Sequence, residues 1–226
     1  MVFEGVYDNF LQYWKENTEE DQHASRVDIN HRHFHIKING TQLALYEGRN
    51  NKKRVASTPM ILDGNTITLF GITGSTLDHN ADNYFTLQGG ILTIKGFNHF
   101  KTPMPYVLKR CRPFAGWIMN LLPDTEEEYN RIDQLIIHDQ GGMSELVYED
   151  KVYTVELTQL EFAHTIKVFK LAFYDMPLSE IGINSRAFAY TWVNPEATRI
   201  GMNLRYLQSG WTLIEDGYVN SDKLNK

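Results

Sequence analysis

From Arg26 onward the chain keeps a two-residue period, and nothing else in the sequence constrains its fold as much. Val27, Ile29, His31, His33 and His35 alternate with Asp28, Asn30, Arg32, Phe34 and Ile36. Successive side chains of an extended strand point to opposite faces, so this alternation describes a strand. Asn39-Gly40 follows as a two-residue hairpin turn, a position that favours residues tolerant of positive φ. A return strand is then expected over 42–46. Further strands are expected over 54–58, 60–62, 66–70, 84–87, 91–95 and 106–110, with Gly64-Asn65 and Gly89-Gly90 at tight turns.

The second half reads the same way. Strands are expected over 114–122, 134–138, 144–149, 152–160, 165–174, 186–193, 199–207 and 211–215. Gly141-Gly142, Glu149-Asp150, Asn194-Pro195 and Ser209-Gly210 punctuate them. Helical spacing is confined to two short stretches. Phe3, Val6, Tyr7, Phe10 and Trp14 predict a helix over 3–15, and Asp124 caps a shorter one over 123–129. Strands that do not alternate with long helices exclude a parallel doubly wound sheet. The chain is therefore predicted to be mainly β: an antiparallel β-barrel with a short N-terminal helix, one domain over 1–226. Phe3-x-Gly5 and Phe114-x-Gly116 each open roughly half of the chain, but the match is too short to establish a duplication.

Charge narrows the partners. The chain has 22 Lys+Arg and 28 Asp+Glu, for a net charge of −6. Residues 1–113 hold 13 basic and 11 acidic residues, and 114–226 hold 9 and 17. An acidic balance argues against nucleic acid as a partner. The basic clusters Lys52-Lys53-Arg54 and Lys109-Arg110-Cys111-Arg112 read as solvated charge or as a patch for an anion. The single cysteine, Cys111, has no internal disulfide partner, and the start lacks a signal-peptide pattern. A cytoplasmic location is expected, with no membrane-spanning helix.

Several groups could carry chemistry. His31-x-His33-x-His35 would project three imidazoles from one strand face, and two histidines at that spacing form a zinc half-site. Arg186, Tyr190 and Trp192 share one strand face; Arg199, Asn203 and Arg205 share another; Trp211 and Glu215 share a third. Were these strands hairpin neighbours, guanidinium forks and aromatic walls would meet around a ligand with an anionic or polar end. The same alternation also fits arginines in water and Ile200, Met202 and Leu204 in the core. Glu156 and Glu161, five apart, point to opposite faces and cannot act as a pair. Cys111 lies between two arginines, which favour a thiolate. There is no Gly-rich phosphate loop, no Gly-x-Ser-x-Gly, no His-Glu-x-x-His and no Cys-x-x-Cys, and no cofactor is expected.

A short helix ahead of a long antiparallel series resembles the calycin group of lipocalins, fatty-acid-binding proteins and bilin lyases. Gly5-Val6-Tyr7 is similar to the lipocalin Gly-x-Trp, with Tyr in place of Trp. The resemblance implies a barrel holding a hydrophobic ligand; it transfers no functional residue. The expected function is binding of a largely hydrophobic small molecule with an anionic or polar end. Arg186, Trp192, Arg199, Asn203, Arg205 and Trp211 are the candidate ligand contacts. If the chain is a cofactor-independent lyase, isomerase or cyclase, Glu156, Tyr190 and Glu215 are the candidate catalytic groups. The alternatives are a carrier without chemistry, a protein-interaction sandwich with a self-associating edge strand that would make a homo-oligomer, and a metal-dependent hydrolase using His31 and His33.

Overall fold

The computed structural model describes residues 4–18, 32–49, 53–63, 66–69, 72–75, 85–94, 105–119, 131–148, 150–162, 166–204 and 207–214. The chain divides into two compact units, Met1–Cys111 and Arg112–Lys226. The fold is mainly β and antiparallel.

The first unit runs β1 (Gly5–Asp8), α1 (Phe10–Thr18), β2 (Phe34–Asn39), β3 (Gln42–Glu47), β4 (Lys53–Asp63), β5 (Thr66–Leu69), β6 (Ile72–Ser75), β7 (Phe85–Gln88), β8 (Ile91–Ile94) and β9 (Tyr106–Arg110). Each strand pairs with the next, and only the β6–β7 link, Ser75↔Thr86, is parallel. β9 comes back to β1 through Tyr7↔Arg110 and Asp8↔Lys109, so the sheet is strongly curled. Its apolar cluster includes Tyr7, Phe34, Ile36, Ile38, Leu43 and Leu45, all fully buried. Asn39-Gly40 and Gly89-Gly90 make the expected turns, with positive φ at Gly40, Gly89 and Gly90.

The N-terminal helix starts later than its spacing suggests. Gly5–Asp8 is strand, because Gly5 takes a φ of 144° and Tyr7 turns into the core while Val6 turns away. Asp8 then ends the strand by accepting the Phe10 N–H on Oδ1 at 2.7 Å. Side-chain amides fasten α1 to the sheet. Asn9 donates to the Arg32 carbonyl and accepts the Phe34 N–H, both at 2.8 Å. Gln12 donates to the Pro105 carbonyl and accepts the Val107 N–H, both at 3.1 Å. Each amide thus presents one donor and one acceptor, as a neighbouring strand would.

The second unit runs β10 (Pro113–Met119), β11 (Arg131–His138), β12 (Gln140–Tyr148), β13 (Lys151–Phe162), β14 (Ile166–Tyr174), β15 (Ala189–Val193), β16 (Arg199–Leu204) and β17 (Leu207–Leu213). These form two four-stranded sheets, ordered β11-β10-β17-β16 and β12-β13-β14-β15. One hydrophobic cluster takes side chains from both, including Phe114, Ile118 and Trp211 from the first sheet and Val155, Leu157 and Phe169 from the second. Where one barrel was expected, the strands sort into three ladders. β1 carries β2 on one edge and β9 on the other, so neither edge is left for later strands.

Two dipeptides read as turns, Ser209-Gly210 and Gly141-Gly142, lie inside strands. Gly210 sits mid-strand in β17, where the Trp117 indole covers it. Gly141 and Gly142 sit in β12 at a bulge opposite β13. Arg112 closes the unit's start. Its guanidinium donates to the carbonyls of Pro195 and Ala197 and stacks near Phe114 and Phe169. The helix expected over 123–129 and the turn at Gly64-Asn65 lie outside the described residues.

Two measurements check this packing. A Cβ on Gly116 would stand 2.3 Å from the Trp211 ring, whereas one on Gly201 would meet only the Ser209 carbonyl oxygen, at 3.5 Å. Gly116→Ala is expected to destabilise the second unit by about 1–3 kcal/mol, and Gly201→Ala by less than about 0.5 kcal/mol, read from urea unfolding. In the first unit, burial pushes the Tyr7 phenol above its ordinary pKa, against the pull of the Arg110 guanidinium. The fold therefore favours the neutral phenol. That stability is complete below pH about 10 and fades as pH rises through the raised pKa. Tyr7→Phe is expected to lose less stability than the parent chain between about pH 9 and 11.

Candidate functional site

The face of sheet β12-β13-β14-β15 turned away from the core holds the strongest constellation. Its registers make two rows. Glu156 pairs with Ala172, which pairs with Tyr190; Thr158 pairs with Lys170, which pairs with Trp192. Val155, Leu157, Leu171 and Phe173 alternate with these residues and fill the core. The alternation therefore turns Lys170, Tyr190 and Trp192 outward together.

Tyr190 is 55% exposed and Trp192 47%, unusual for large rings on a strand. Their centroids are 5.7 Å apart and the rings meet edge to face. The Lys170 ammonium lies 5.3 Å from the Tyr190 centroid and 5.9 Å from that of Trp192. Among the described residues, no carboxylate is paired with Lys170. Ring quadrupoles hold the cation without supplying a counter-charge.

Glu156 lies in the enclosed part of its row, which continues to Met143 of β12. It is buried, and the Tyr174 hydroxyl donates to Oε2 at 2.9 Å. Beside it, Thr154 Oγ1 donates to the Met176 carbonyl at 3.0 Å. Met143, Met176, Ile181 and Ala187 pack with Ala172 and Tyr174 over this end of the face. Glu156 and Tyr190 thus share a row, with buried Ala172 between them.

The other expected site residues separate. β15 pairs with β14 and β16 with β17, in different sheets, so the three last strands do not make one surface. Arg199 and Asn203 are exposed on β16, while Ile200 and Met202 face the core. Trp211 pairs with Ile200 and is fully buried, so it is a core residue. Arg186 is exposed ahead of β15. Arg205, Glu215 and His31 lie outside the described residues.

In the first unit, His33 Nε2 and Asp8 Oδ1 are 2.7 Å apart, both buried. A carboxylate so placed orients the imidazole and fixes its tautomer. The ring packs against Phe10 and Tyr13, and Nδ1 has no hydrogen-bond partner among the described residues. His35 stacks on Tyr46 with centroids 4.6 Å apart. Cys111 is buried, with Sγ 3.9 Å from the Lys109 carbonyl oxygen. Lys170, Tyr174 and Asp8 were not among the sequence candidates. Strand alternation puts Lys170 on the face of Ala172 and Tyr174, but only the cross-strand register brings it to Trp192.

The chain matches no known family model, no curated protein and no solved structure. Among the described residues, no helix is long and apolar enough to cross a membrane. Removing the Tyr174 hydroxyl would take one hydrogen-bond donor from the buried Glu156 carboxylate. Tyr174→Phe is expected to cost about 1–3 kcal/mol of stability, and adding Glu156→Gln to recover part of that loss, measured as a double-mutant cycle.

Proposed function

We propose that the chain binds a largely apolar small molecule with an anionic end on the outer face of β14 and β15. The observation that carries this is Lys170, an ammonium with no carboxylate partner among the described residues, beside two half-exposed aromatic rings. Exposed rings supply apolar contact area at small entropic cost, and a neighbouring ammonium selects for negative charge. Of the residues expected to contact a ligand, this reading keeps Trp192 and gives Tyr190 a binding rather than a catalytic role. Glu156 is enclosed by Tyr174 and the residues packed above it, and takes no part in binding. The reading is therefore of a binding protein. A calycin-like character of the first unit is supported by Gly5-Val6-Tyr7 opening strand β1.

The test compares apolar anions with their neutral counterparts: decanoate with decanol, and 2-naphthoate with 2-naphthol. Calorimetric titration of the full chain is expected to show at least one of the anions binding about tenfold tighter than its alcohol. Lys170→Gln is expected to remove that difference, while Arg199→Gln leaves it intact. Equal binding of anion and alcohol, or an anion preference that survives Lys170→Gln, would refute the reading.

A further inference from the structure

We infer that the molecule taken by this face is a single-chain amphiphile, an unbranched alkyl chain ending in an anion, whose tail runs along β14 from Lys170 toward Ile166. This rests on the binding reading above and narrows it to one class of ligand. Three observations carry it. The first is that the rings offer no shared platform. Tyr190 and Trp192 are inclined at 72°, and the Lys170 ammonium stands against both. A planar multi-ring ligand cannot stack on two surfaces so inclined, so the pair gives no platform that would favour a flat ligand over an alkyl chain.

The second observation is what lies beyond Lys170 on the same face. Val168 and Ile166 stand two and four positions back along β14, and buried Leu160 of β13 is paired with Val168. Ile166 is 58% exposed. The resulting apolar strip has no charged side chain from β14 after Lys170, since Lys167 alternates to the other face. Four residues of strand make it about 13 Å long. The third is its polarity: one cation at one end and apolar side chains at the other. One anionic head and one tail match that order. An apolar strip without the ammonium would not select a charge, and an ammonium without the strip would accept any small anion.

The experiment is a chain-length series. The full chain is titrated with hexanoate, octanoate, decanoate and dodecanoate, each below the concentration at which it self-associates, and with benzoate and 2-naphthoate. Affinity is expected to rise about threefold or more for each added pair of methylenes until the strip is filled, and then to level off. The alkyl series is expected to surpass the aromatic acids. Ile166→Glu, at an exposed position, is expected to flatten the length dependence, weakening dodecanoate more than hexanoate. Lys170→Gln is expected to weaken every member of the series. Naphthoate binding that depends on Lys170, with no length dependence among the alkyl acids, would overturn this inference and leave the binding reading standing. Binding of none of the acids would overturn both. Concentration-dependent self-association abolished by Ile166→Glu, seen by sedimentation, would mean that a second copy of the chain covers the strip and would overturn the inference as well.

Discussion

The register of β13, β14 and β15 is the constraint on which the candidate site depends. Thr158↔Lys170↔Trp192 and Glu156↔Ala172↔Tyr190 exist only in this alignment. A slip of one residue would exchange the two faces and carry Lys170 into the core. The core prevents it. Val155, Leu157, Phe169, Leu171 and Phe173 are each at most 1% exposed. Burial of each such side chain contributes about 1.5–3 kcal/mol, against about 0.5–1 kcal/mol for an exposed cation–π contact. Apolar packing on one face therefore sets the geometry of the polar and aromatic groups on the other. The rings beside Lys170 follow from the register and do not determine it.

The first unit solves a different problem. β9 returns to the first strand, so the short β1 is paired on both edges. The chain must then turn sharply from β1 into α1, and polar side chains make that turn. Asp8 caps the Phe10 N–H and bonds His33, while Asn9 and Gln12 complete the hydrogen bonding of residues 32–34 and 105–107. The Asp8–His33 pair sits within this junction. Its position, with the His33 Nδ1 buried, gives it a structural task.

The strands were legible because alternation is local. β13 and β14 were expected close to their observed bounds, and the Asn39-Gly40 and Gly89-Gly90 hairpins of the first unit were read from their turn residues. Errors arose where a local signal had a non-local cause. Phe3, Val6, Tyr7 and Phe10 have helical spacing, yet Gly5–Asp8 is strand because it lies between β2 and β9. Ser209-Gly210 looks like a turn, yet Gly210 is the space that Trp117 fills. The site was half legible for the same reason. Tyr190 and Trp192 share a face by alternation alone. Lys170 joins them only through pairing across strands, and Arg199 and Asn203 leave them because β16 pairs with β17.

The chain has four tryptophans, and their indole N–H groups give a direct measurement of where an apolar anion binds. Trp211 is buried in the core, Trp117 is covered by the Arg131 guanidinium, and Trp192 stands half-exposed beside Lys170. A two-dimensional nitrogen–proton spectrum, with each indole assigned by substitution, can be followed during titration with octanoate. The expected result is a saturable shift of the Trp192 signal while those of Trp117 and Trp211 stay in place. A stationary Trp192 signal at saturating octanoate, or a larger shift at Trp117 or Trp211, would contradict the site described.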